Sequence, residues 1–117
     1  MVSIEPATAV FIAEKFIGNK GNDSSNWERK VRANFGVPLD VVCELWDYIE
    51  ESRRFRRGSA FQPDHLFWTL YYMKNYPTWD VLQQHLPGKP HKNTCIQYVG
   101  EGLTLLSELE LVSVHLL

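Results

Sequence analysis

Proline and glycine divide this chain into stretches whose apolar residues recur with helical period, and none alternates with period two over a sheet's worth of strands. That punctuation predicts an all-α fold, a compact bundle of five or six helices. Residues 7–17 set Val10, Phe11, Ala13, Phe16 and Ile17 along one stripe, with Pro6 at a tolerated first-turn position and Gly18 as the stop. The next stretch, GNKGNDSSN (18–26), is polar and turn-rich. The expected division is therefore a loosely attached N-terminal helix with its linker (1–26) and a helical domain (27–117). Asn26 is placed to cap a short helix over 27–35, in which Trp27, Val31 and Phe35 fall four residues apart before Gly36 ends it. Pro38 opens a longer helix to 52 or 54, carrying Val41, Val42, Leu45, Trp46 and Ile49; residues 53–58 then read as a loop.

From Pro63 the pattern becomes more specific. A helix over 63–75 is apolar on nearly every side (Leu66, Phe67, Trp68, Leu70, Tyr71, Tyr72, Met73) and reads as the buried central element. Thr78 is a good N-cap for a short helix from 79 to 85 or 86, and 87–90 (PGKP) is a turn. A last helix starts at 91 or 93 and reaches at least 109, with Cys95, Val99, Gly102, Leu106 and Leu109 on one stripe. Residues 111–117 (LVSVHLL) suit a strand fragment or an extension of that helix. A braced helix, a turn and a helix with a polar start are the parts of a helix-turn-helix, whose last helix enters the major groove by its N-terminal residues. Those residues are His91, Lys92, Asn93, Thr94, Gln97 and Tyr98. Asn and Gln can pair bidentately with adenine, Lys reaches guanine or phosphate, and Thr touches a thymine methyl.

Charge both opposes and supports that reading. Twelve Lys and Arg against fourteen Asp and Glu leave a net charge of -2, whereas duplex binders usually carry excess cations. Yet residues 52–92 hold seven cations (Arg53, Arg54, Arg56, Arg57, Lys74, Lys89, Lys92) and only Asp64 and Asp80 as anions. A local basic face is therefore compatible with a mildly acidic molecule. Arg53, Arg54, Arg56 and Arg57 around Phe55 can clamp phosphate or an acidic partner; alternatively they terminate a helix and pair with Glu50 or Glu51.

The run 64–109, DHLFWTLYYMKNYPTWDVLQQHLPGKPHKNTCIQYVGEGLTLLSEL, resembles the N-terminal helix-turn-helix region of DDE-superfamily transposases of the Harbinger type and its insertion-sequence kin. The break in VRANFGVPLDVVCELW (31–46), the helix at 66–74, the short helix at 78–85 and the polar pair Asn93-Thr94 ahead of Tyr98 carry the likeness, which spans about 27–111. Two features depart from it: the turn at 86–91 is longer than a tight helix-turn-helix uses, and Leu82 stands where a small residue is common. The family's catalytic Asp, Asp and Glu belong to an RNase-H-like domain that follows this region. The resemblance thus implies a recognition piece without the nuclease; on the helix-turn-helix reading, Asn93, Thr94, Gln97 and Tyr98 are the base readers, and Lys89, Lys92 and the four arginines engage phosphates.

Other chemistries find little footing. Glu50 and Glu51 are adjacent and point to different helix faces, so they form no acid/base pair. Asp64 is explained by the helix dipole, and the isolated Gly88-Lys89-Pro90 lacks the rest of a phosphate loop. His85, His91 and Cys95 have the reach of a metal cluster, but CxxC and HxxxH are missing and Cys95 fits the apolar stripe. The expectation is a non-enzyme without metal, cofactor or small-molecule substrate. Two cysteines, no basic leader and no membrane-length apolar run predict an intracellular location, nuclear in a eukaryote. The aromatic belt (Trp46, Phe67, Trp68, Tyr71, Tyr72, Tyr76, Trp79) is more than a small core comfortably covers. Trp68 with Tyr72, or Trp79, together with the tail 112–117, therefore suggests a homodimer that would present two recognition helices. The competing function is a helical protein-interaction module that has lost DNA.

Overall fold

In a computed structural model of the chain, residues 5–18, 24–53 and 60–113 are described. They form six helices: α1 (Pro6–Ile17), α2 (Ser24–Phe35), α3 (Leu39–Arg53), α4 (Pro63–Asn75), α5 (Trp79–His85) and α6 (Lys92–Ser113). There is no strand among the described residues, and no helix is long and apolar enough to cross a membrane. The breaks follow local chemistry. Gly18 and Gly36 take φ of +90° and +80°, which L side chains rarely adopt, and their N–H groups close α1 and α2 on the carbonyls of Glu14 and Arg32. Pro38 offers its carbonyl to Val41 and Val42 at the start of α3. α2 begins at Ser24, so Asn26 sits inside its first turn and is not the cap. At the other end of the chain α6 continues to Ser113, making 111–113 a helix extension; 114–117 lie outside the described residues.

α4 is the central element. Leu66, Phe67, Trp68, Thr69 and Leu70 are consecutive and all buried, as only a helix covered on every side can be. It emerges at its C-terminal end, where Met73, Lys74 and Asn75 are exposed. α1, expected as a loose arm, is instead part of the core: Ala9, Ile12 and Ala13 are buried beside Trp27, Val42 and Phe67. Its small residues admit close helix approach, and the face differs from the one expected. Phe11 is 61% exposed and lies under the Lys15 ammonium, 4.6 Å from its ring centre.

Two apolar clusters result. The larger joins α1, α2, α3 and α4 to Leu105 of α6; the smaller packs Trp68 against Leu82, Leu86, Cys95 and Val99. Phe16, Tyr71 and Tyr98 touch both. The aromatic belt is largely consumed within the chain. Trp46 stacks on Phe61, Trp68 is buried, and Tyr72 stacks on Trp79 with ring centres 4.9 Å apart. Trp68 is thus not free to face a second copy, and the side chains of 112–117 lie outside the described residues.

Candidate nucleic-acid interface

α5, the connection 86–91 and α6 form a braced helix pair on the outer side of α4. Thr78 caps α5, its hydroxyl accepting the Val81 N–H at 3.3 Å. Leu82 and Leu86 anchor α5 against Cys95 and Val99 of α6, so Leu82 is a core contact where the transposase pattern prefers a small residue. In the connection, Pro87 and Gly88 occupy the centre of a type II turn. Gly88 has φ +77° and the Lys89 N–H donates to the Leu86 carbonyl at 3.0 Å. Lys89 itself is left-handed (φ 44°), and its side chain is exposed.

α6 divides cleanly by face. Cys95, Val99, Gly102 and Leu105 point inward and are buried. Asn93, Ile96, Gln97, Gly100, Thr104 and Ser107 fall on the opposite side at helical spacing, and all six are exposed. This outward stripe carries no charge, although a helix face that only meets water usually holds Lys and Glu. Among the described residues, neither the Asn93 nor the Gln97 amide has an intramolecular hydrogen-bond partner. Gly100 is informative by contrast with Gly102. A Cβ on Gly102 would overlap the Thr69 hydroxyl, so α6 can approach α4 there only without a side chain. A Cβ on Gly100 would meet nothing within 4 Å. Packing requires one of these glycines and not the other.

The sequence-nominated residues separate accordingly. His91, Lys92, Asn93 and Gln97 are exposed at the start of α6, and Thr94 is half-buried on its flank. Tyr98 is half-buried, and its ring is engaged within the chain. Its ring stacks on His65 at 3.7 Å with a 5° interplanar angle and packs into both clusters. His65, to which sequence reasoning assigns no role, is a hub. Its Nδ1 accepts the Gln62 N–H at 2.8 Å, closing the start of α4, while its ring meets Phe61, Trp68 and Tyr98. Local sequence carries only the three-residue spacing of a capping pair. Lys92 is drawn to Asp80 of α5, Nζ to Oδ1 3.1 Å. Both groups are exposed, so the pair is worth at most about 1 kcal/mol and exchanges readily for a stronger anion. The Arg53 side chain and Arg54, Arg56 and Arg57 lie outside the described residues.

No protein family, curated protein or solved structure matches this chain.

Among the described residues no three His, Cys, Asp or Glu side chains converge. His85 instead stacks on Tyr71 at 4.4 Å, and the Cys95 thiol approaches the Pro90 carbonyl at 3.9 Å. Burial pushes the Cys95 thiol above its ordinary value. Cys43 is raised too, by burial first and then by Asp47 and Asp40. Neither is an activated thiolate. A separate hollow of about 400 Å³ lies between α1, α2 and the start of α3, over Trp27, Val31 and Leu39, with Glu28, Arg32 and Asp40 at its rim. It lies among elements other than the α5–α6 pair.

Proposed function

We propose that this chain is a DNA-recognition domain of the helix-turn-helix kind, in which α5 braces α6 and the outward face of α6 enters the major groove. The observation that carries this reading is the uncharged, exposed stripe Asn93, Ile96, Gln97 and Gly100 on a helix that buries Cys95, Val99, Gly102 and Leu105 on its opposite face. Hydrogen-bonding amides and a glycine that packing does not need suit a surface approached closely by a partner. The resemblance of 27–111 to transposase N-terminal regions supports the same reading and implies recognition without the nuclease. Lys89 and Lys92, with His91 between them, flank the stripe and are the proposed phosphate contacts; Arg53, Arg54, Arg56 and Arg57 join them as proposals from sequence. Thr94 remains a flank contact.

Titrating the full chain against a randomised duplex pool at increasing salt tests the proposal. Affinity should fall steeply, log K decreasing by about 0.9 per log salt for each phosphate neutralised. No binding at low salt would remove it. The competing reading, an interaction module without DNA affinity, has Tyr76 (78% exposed) and Val81 in its favour, because both are large apolar groups left uncovered. A homodimer on DNA, nuclear in a eukaryote, is the assembly the first reading favours, and ultracentrifugation with and without duplex distinguishes it from a monomer.

A further inference from the structure

We infer that the first two turns of α6 are built to select A·T pairs in the major groove. This rests on the proposed reading of α6 as the groove helix and adds what that helix recognises. Asn93 and Gln97 lie one turn apart on the exposed stripe, and each amide can pair with adenine through N7 and the N6 amino group. Ile96 lies beside them on the same stripe, 39% exposed, and offers the apolar contact that a thymine C5-methyl accepts.

The partners of the other pair are missing from this face. Guanine is read by Arg or Lys aimed at O6 and N7. The sole cation in 92–113 is Lys92, which sits on the flank within 3.1 Å of Asp80. Cytosine is read by a carboxylate, and the first acid along α6 is Glu101, off the stripe and paired within the chain. Gly100 extends the same face without a side chain, which lets the backbone come close to the groove wall. Four helical residues advance about 6 Å, close to two base-pair steps, so the two amides reach bases within about three consecutive pairs.

The test is selection from a randomised duplex pool with the full 117-residue chain, followed by atom-level substitution in the enriched site. Two A·T pairs within three positions are expected. Exchanging their adenines for 7-deazaadenine, which lacks the N7 acceptor, should weaken binding at least about fivefold in the parent chain and not in the Asn93→Ala/Gln97→Ala variant. Exchanging thymine for uracil should weaken binding by a smaller factor, and Ile96→Ala should abolish that difference. All three side chains are exposed, so thermal melts of these variants should match the parent. A G·C core, or an A·T preference indifferent to 7-deazaadenine, overturns the inference. Steeply salt-dependent binding with no preferred pair also overturns it while leaving the proposed function standing; absence of binding at low salt removes both.

Discussion

Two glycines two residues apart on α6 have opposite reasons for being glycine, and their substitutions should have opposite signs. Gly102→Ala drives a methyl into Thr69, whose hydroxyl is already committed to the His65 carbonyl at 2.9 Å. Overpacking of this kind costs about 1–3 kcal/mol. Gly100→Ala adds a methyl to open space and removes the helix penalty of glycine, stabilising by about 0.5–1 kcal/mol. Urea denaturation of the two variants measures both. The thiols give a pH dependence whose direction follows from burial. Cys43 and Cys95 are held above their ordinary value of 9.0 in the folded chain, so above about pH 9 the folded state retains protons that the unfolded state has lost. Stability is therefore unaffected below that pH and declines as pH rises through it. Urea midpoints collected on either side of pH 9 should show the decline, and Cys43→Ala/Cys95→Ala should flatten its onset. Tyr71, also raised by burial from 10.0, adds a loss of the same sign at higher pH.

A seven-residue helix such as α5 has little stability of its own, so its attachments decide whether the helix pair exists. Thr78→Ala removes the cap and should lower global stability by about 1 kcal/mol, read from thermal or urea melts. Asp80→Asn acts differently. It breaks the exposed pair with Lys92 at a cost below about 1 kcal/mol and releases a cation beside the outward stripe. If Lys92 meets phosphate, Asp80→Asn should tighten DNA binding, because the competing carboxylate is gone. Unchanged affinity in a fluorescence-anisotropy titration would place Lys92 away from the backbone. The boundaries of α4 and α5 were legible in the sequence because Pro63, Pro77 and Thr78 act on their own backbone neighbours.

At the scale of the whole molecule, Tyr98 joins the two apolar clusters and couples α6 to the start of α4 through His65, with Phe61 and Trp46 continuing the stack toward α3. Tyr98→Ala should therefore destabilise the entire fold, by roughly 2–4 kcal/mol for a large ring lost from a partly buried site. Near-ultraviolet circular dichroism and tryptophan fluorescence should report one shared transition. A side chain serving only to touch bases would leave that midpoint unmoved. The amino-acid sequence by itself determined the all-helical architecture and the exposed amides at the start of α6, because capping, proline and the 3.6-residue period operate over three or four neighbours. Only the tertiary structure decided that α1 belongs to the core, that Tyr98 lies on His65 thirty-three residues earlier, that Lys92 meets Asp80, and that Gly102 is required where Gly100 is not. Each of those outcomes depends on which element covers a given face. Helical period announces that a face is apolar without naming the neighbour that buries it.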